Sequence, residues 1–399
     1  MRLCRAALVV LGLFCNCVPA FTATVLVIPF HNNSQYPDLE WVGESISETL
    51  KSELGALNEI VFDRDAVAKG FSQLSLKPGA TFTKATLIRL GQTLDADYIC
   101  YGTYNATLSP DDAQLKNSSV QVTSRFIDLR KLHDGPSVTE AGKLSDLSRL
   151  EQHLAWEALK YLQPGQNLSF EQFMAPGKLV RLEAEESYIR GLLSTNKDQQ
   201  EKWFAQAVVL DRHFTNPAFE LGNLYLSQKD YRQALRWFGE IPAADRRYPE
   251  ARFKMGVAAF GAGDYESAAK IFREVSKSFP MNEVFNNLGA AENELGLPVA
   301  IDDFRHALDG DPNNTTYLFN LGLALLRNNS FDEAIKRLQV VVDRRPQDAE
   351  ARQLLNRAKA RQTSLPGGKP LAPERLATSF DATAYRQLKA MLQPHGNGS

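Results

Sequence analysis

The chain has 399 residues, of which 44% are hydrophobic and 23% charged, with a formal net charge of −2. Charge this balanced, with no basic block, leaves no electrostatic footprint for nucleic acid or for an anionic membrane surface. The length exceeds what one hydrophobic core usually organises and fits two domains of roughly 140 and 170 residues.

Residues 1–20 predict a signal peptide: Arg2 and Arg5 precede an apolar run from Ala6 to Phe14, and Val18-Pro19-Ala20 suits cleavage after Ala20. The run is shorter than the ~18 residues a spanning helix needs, so an exported, periplasmic chain without a transmembrane segment is expected. Cys4, Cys15 and Cys17 lie inside the leader, which leaves Cys100 as the sole mature thiol and excludes an internal disulfide. Phe14 and Asn16 stand where a lipoprotein signal would place small residues, and no lipid anchor is expected. Asn-x-Ser/Thr triplets at Asn32, Asn105, Asn117, Asn167, Asn314 and Asn329 matter only in a eukaryotic secretory pathway. In a bacterium, the favoured source, they are incidental.

Residues 24–163 read as an α/β sandwich. Thr24 to Phe30 is a β-branched apolar run, the pattern of a strand covered on both faces. From Leu39 to Leu57, Val42, Ile46, Leu50, Leu54 and Leu57 recur at helical spacing. A short strand at 59–62 follows, then a helix with Leu87, Leu90 and Leu94 that Thr83 can cap. Strand character returns at 97–107 and at 118–130, where Val120, Val122 and Phe126 alternate with polar residues.

These pieces resemble the amino-terminal domain of TolB and its relatives among curli-secretion and flagellar outer-membrane proteins. The likeness is carried by Val25 to Phe30 with Asn32 and Ser34, by Val42 to Ile46, by Asp97 to Gly102 and by Arg125 to Asp128. It implies a non-catalytic module of an envelope assembly and supplies no catalytic residue. Pro164, Gly165, Pro176 and Gly177 then interrupt helical periodicity, which predicts a linker over 164–180.

Beyond the linker, Gly222, Gly256, Gly289 and Gly322 recur at separations of 34, 33 and 33 residues. With Tyr225, Ala234 and Phe238, then Ala268, Phe272 and Pro280, then Ala300, Phe304, Ala307 and Pro312, then Ala334 and Pro346, they resemble tetratricopeptide repeats. The resemblance implies antiparallel helix pairs stacked into an all-α solenoid over 181–361, with about five pairs plus a closing helix. Its first unit, 181–214, keeps Trp203, Phe204 and Ala207 but shows no glycine in register. The helix over 348–361, with Arg352, Arg357, Lys359 and Arg361 on a polar surface, is expected to close the far end.

By analogy with such repeats, Phe219, Asn223, Phe253, Phe260, Asn286, Asn293, Phe319 and Arg327 are the candidate partner-binding residues of the concave face. Asparagine amides can donate to and accept from a peptide backbone, and phenylalanines offer apolar pockets, so a peptide or short helix of a partner protein is the expected guest. The alternative is that the phenylalanines are inter-repeat core and the asparagines are solvated. Residues 362–399 read as a flexible tail. Its tether, 362–380, contains Pro366-Gly367-Gly368 and Pro370. Tyr385, Leu388 and Leu392 then mark a short amphipathic helix at 381–392, which either docks on the repeats, engages a partner or stays disordered.

No catalytic, metal or cofactor constellation stands out. The six histidines have no second ligand type at metal spacing, and His153 with Glu157 is expected to form a surface ion pair. Asp111-Asp112 and Asp302-Asp303 read as solvated carboxylates, and Cys100 has no activating base in sequence. The function expected is a non-enzymatic interaction scaffold of the bacterial envelope; the alternative is a secretion component related to curli-type exporters. An enzyme assembled at the domain junction is a third possibility.

Overall fold

A computed structural model describes residues 23–57, 59–77, 79–109, 118–174, 179–363, 372–380 and 385. The expected leader, Asp111-Asp112 and most of the 381–392 helix lie outside these residues.

The amino-terminal half contains β1 (Thr24–Val27), β2 (His31–Asn32), α1 (Glu40–Ala56), β3 (Ile60–Val61), α2 (Arg64–Gln73), α3 (Lys84–Thr93), β4 (Tyr98–Thr107), β5 (Ser119–Asp128), β6 (His133–Lys143), α4 (Leu147–Leu162) and α5 (Phe170–Met174). The sheet order is β3-β1-β4-β5-β6, with β2 pairing to β4. β1 runs parallel to β3 and β4, and β4, β5 and β6 are antiparallel neighbours. The continuous apolar run of β1 now has its reason. Val25 and Val27 pack with Trp41, Ile46 and Leu50 of α1 and Leu154 of α4, while Leu26 and Ile28 pack with Val67 and Phe71 of α2 and Leu90 of α3. Thr83 caps α3 by accepting from the Thr86 amide at 3.2 Å. Gly43 lets α1 approach the chain after β1, because a methyl there would stand 2.0 Å from the Phe30 carbonyl oxygen. Among the elements not foreseen are α2 and β6. The latter is an edge strand whose side chains are mostly exposed, so it lacks the apolar alternation by which strands are read.

The stretch expected as a linker is stitched down where it is described. The Trp156 indole donates to the Leu168 carbonyl at 2.8 Å, Phe173 of α5 is buried, and the Val180 amide donates to Ser148 Oγ at 3.1 Å. The apolar cluster beneath α1 and α4 continues through Tyr188, Ile189, Phe204 and Leu221 of the first repeats, so the two halves share one core. Two buried carboxyls sit at this junction. Thr49 donates to Glu151 at 2.8 Å and Ser45 to Glu185 at 2.8 Å. Burial, then the neighbouring Glu185, pushes the Glu151 carboxyl well above the ordinary range, so the pair shares a proton.

The carboxyl-terminal half holds five helix pairs among the described residues. They are α6 (Leu182–Leu193) with α7 (Lys197–Leu210), α8 (Asn216–Ser227) with α9 (Tyr231–Gly239), α10 (Tyr248–Gly261) with α11 (Tyr265–Ser278), α12 (Asn282–Glu294) with α13 (Ala300–Gly310), and α14 (Thr315–Arg327) with α15 (Phe331–Arg344). α16 (Ala349–Lys359) closes the stack on Ala351, Leu354, Leu355 and Ala358. Lys229, Gly263, Gly296 and Asn329 end the first helix of four pairs with φ of +62°, +80°, +70° and +61°. Asp230 and Asp264 then cap the second helices of two pairs by accepting from the Gln233 and Ser267 amides. The periodic glycines lie where paired helices nearly touch. A methyl on Gly222, Gly256 or Gly322 would stand 2.5–2.6 Å from Phe238, Phe272 or Leu338. The first pair has its glycine after all: Gly191 faces Phe204, at 2.4 Å from an added methyl. It stands out of register because α6 ends at Leu193, soon after its glycine, whereas α8, α10, α12 and α14 each run on for more than a turn beyond theirs.

A peptide-holding groove as the candidate functional site

The first helices of successive pairs place residues at fixed offsets before their glycines along one concave wall. Phe253, Asn286 and Phe319 share one offset, and Lys254, Asn287 and Asn320 the next. Against the wall of α10, α12 and α14 lies a piece of the chain itself. Residues 372–380, expected to belong to a flexible tether, instead run as an extended segment in the groove, and this corrects the reading for that stretch.

Asparagines hold the segment by its backbone. Asn287 donates to the Ala377 carbonyl at 2.8 Å and accepts from the Ala377 amide at 2.8 Å. Asn320 treats Arg375 the same way, donating to its carbonyl at 2.8 Å and accepting from its amide at 2.9 Å. Asn286 adds a bond to the Arg375 carbonyl at 3.0 Å and accepts from Asn320 at 2.8 Å. Residues two apart in an extended chain present their N–H and C=O groups to the same side, so two carboxamides one repeat apart can read alternate residues. Asn286, Asn287 and Asn320 are fully buried. Their solvation is replaced by these bonds, as buried amides require.

Side chains add three further contacts. Glu374 accepts from Asn293 Nδ2 and from Arg327 Nη1, each at 2.7 Å. Arg327 also reaches Glu294 at 2.9 Å. Burial, and then a hydrogen bond shared with Glu294, pushes the Glu374 carboxyl up to about 8 against the pull of Arg327. Burial would raise Glu294 too, yet hydrogen bonds from Glu374 and Arg327 hold it below its ordinary value. The proton of this pair therefore sits on Glu374. Arg375 forks onto both oxygens of Asp348, at 2.6 and 2.8 Å, and onto Glu350 at 2.8 Å, with its guanidinium 3.5 Å above the Phe319 ring. Hydrogen bonding from Arg375 holds the Asp348 carboxyl below its usual range. At the other end, Phe380 stacks on Phe253 with centroids 4.8 Å apart and meets Phe279 edge-on at 5.7 Å. Tyr385 lies 5.4 Å from Phe279.

Five of the eight candidate residues, Phe253, Asn286, Asn293, Phe319 and Arg327, converge on the segment. Three do not. Phe219 packs on Phe238 beneath Arg247, Asn223 bonds Glu220, and Phe260 packs against Tyr265. Sequence reasoning missed Asn287 and Asn320. Their signal was present, since both stand two residues before a periodic glycine in successive repeats. It also missed the acidic pair Asp348 and Glu350, which lies on the closing helix outside the repeat register. His153 pairs with Glu140 at 2.9 Å and not with Glu157, which takes Lys160 at 3.1 Å. Among the described residues no cluster of His, Cys, Asp and Glu could hold a metal ion. No helix among them is long and apolar enough to cross a membrane.

Two family profiles described as tetratricopeptide repeat match residues 219–283 and 298–358. This chain carries tetratricopeptide repeats. Such repeats generally mediate protein–protein interaction. Similar solved structures include YrrB, described as a TPR protein with an unusual peptide-binding site, at 21% identity over 39% of this chain and 82% of that one, with a TM-score of 0.35. MamA from Desulfovibrio magneticus RS-1 is 19% identical over 42% of this chain and 98% of that one, at a TM-score of 0.39. Pseudomonas aeruginosa PilF is 18% identical over 45% and 83%, at 0.38. No curated protein matches the chain.

Proposed function

We propose that this protein is a non-enzymatic interaction scaffold of the bacterial envelope, whose repeat groove binds an extended peptide of a partner protein beside a TolB-like amino-terminal domain. The supporting observation is the paired use of Asn287 and Asn320, each bonding both the N–H and the C=O of one residue of an extended chain. Such contacts recognise backbone, so they serve a segment from another protein as well as this one. Export rests on the leader at residues 1–20, and the absence of a catalytic role on the interaction chemistry of the repeats.

The test places a photoreactive residue at Phe253 of the full chain in cells. One recurring protein should be captured in the periplasmic fraction, and Asn287→Ala with Asn320→Ala should abolish the capture. Equal capture from a photoreactive residue at the outlying, exposed Val209 would count against the groove, and a cytoplasmic chain would count against export.

A further inference from the structure

The asparagine contacts to Arg375 and Ala377 go to backbone and discriminate little between sequences. The contacts to either side are selective. A glutamate side chain is buried between Asn293 and Arg327, next to an arginine held by two carboxylates and one aromatic face. Lysine, a point charge without a planar fork, satisfies that second site poorly. Five residues past Arg375, a distance of ~17 Å along an extended chain, Phe380 fills a slot between Phe253 and Phe279. The segment runs from Arg375 beside Phe319 and Asp348 to Phe380 beside Phe253 of α10, so the three side-chain sites have a fixed order and spacing.

We infer that the groove selects segments carrying a glutamate–arginine pair with an aromatic at the fifth position beyond the arginine, and that residues 372–380 are the chain's own copy of this motif, which a partner's segment must displace. This rests on the peptide-groove reading above. In sequence, α16 ends at Lys359 and the segment begins at residue 372. A tether of this length sets an effective concentration in the ~mM range. A segment with an intrinsic Kd of ~10 μM would then fill its own groove ~99% of the time, and a competing peptide would bind ~100-fold more weakly than to an open groove. The partner's segment therefore has to carry the same three groups, or more, to compete.

The experiment uses a fluorescent peptide with the sequence of residues 370–381 and two full-length chains, the wild type and one with Glu374→Ala, Arg375→Ala and Phe380→Ala. Circular dichroism of both chains confirms that the repeats remain folded. The peptide should bind the substituted chain at least tenfold more tightly than the wild type. Peptides carrying Arg375→Lys or Phe380→Ala should each lose at least tenfold. Hydrogen exchange at the Arg375 and Ala377 amides of the wild type should be slow and should accelerate when peptide is added.

Equal affinity for both chains would overturn self-occupancy while leaving the groove as a peptide site. Binding to the substituted chain that ignores the arginine and phenylalanine changes would overturn the motif alone. A mass that rises with concentration in the wild type and not in the substituted chain would mean that each segment fills a second copy's groove, which overturns the intramolecular assignment. No saturable binding to either chain, together with fast exchange at both amides, would sink the peptide-groove reading as well.

Discussion

Replacing Gly256 by alanine tests the geometry on which the solenoid depends. A methyl at Gly256 would stand 2.6 Å from Cε1 and 2.7 Å from Cζ of Phe272, a ring with no exposed surface and no room to swing. Alanine in a helix interior is favoured over glycine by ~0.8–1 kcal/mol, whereas forcing a methyl into a packed core costs ~1–3 kcal/mol. The balance is a destabilisation of about 1 kcal/mol. Gly289 is a graded comparison: its added methyl meets Phe304 at 3.0 Å and the Ala300 carbonyl oxygen at 3.1 Å, contacts that shifts of a few tenths of an ångström relieve. Gly289→Ala should fall within about 0.5 kcal/mol of neutral. Gly55 in α1 has nothing within 4 Å of the added methyl, so Gly55→Ala should gain the helix preference of ~0.5–1 kcal/mol. Urea midpoints at unchanged slope report all three. Leucine would not relieve the contact, since Gly322 faces Leu338 as closely, but a Phe272→Ala background removes the ring, and there the penalty of Gly256→Ala should vanish. If all three alanines stabilise alike, close helix approach is not what the periodic glycines serve.

Three shorter predictions concern titratable groups. Burial pushes the Cys100 thiol up to about 12, so with Cys4, Cys15 and Cys17 replaced by serine the native chain should resist alkylation at pH 8 and react only on unfolding; rapid native labelling would contradict the burial. Docked Glu374 holds its proton up to about pH 8 against an ordinary value of 4.5. Docking therefore takes up a proton, with that contribution full below about pH 4.5 and lost as pH rises through about 8. Arg327 and Glu294 are the facing charges, with Tyr265 nearby. Glu374→Gln should flatten the pH dependence of exchange at the Ala377 amide, and an unchanged profile would refute it. Glu151 likewise holds a proton in the folded junction, so its contribution to stability falls as pH rises above about 4.5 through the raised value. Glu151→Gln keeps a donor toward Glu185 without titrating and should lessen the loss of stability as pH rises above about 4.5. Equal slopes in wild type and variant would remove the shared proton from the account.

Much of the architecture was legible because it is written in local periodicity. The β1 run, the α1 stripe of Val42, Ile46, Leu50 and Leu54, and the glycine spacing each follow from side chains that repeat with the backbone's own geometry. β6 was not legible, since an edge strand need not alternate, and neither was Gly191, since α6 ends soon after it and moves it out of step. In the groove, helix position brought out Asn286, Asn293 and Arg327 but also Phe219 and Asn223, whose contacts are with Phe238 and Glu220. Helical position says which way a residue points and not what will lie there.

The sequence by itself determined that paired helices would stack through the second half, because small residues at a fixed period are what close approach of helices demands. The tertiary structure alone decided two things. It merged the sheet and the first repeats into one core through Trp41, Tyr188 and Phe204, and it laid Ala377 against Asn287, 90 residues away in the chain. Hydrogen bonds between a carboxamide and a backbone leave no periodic trace in either segment, so only the folded chain brings them together.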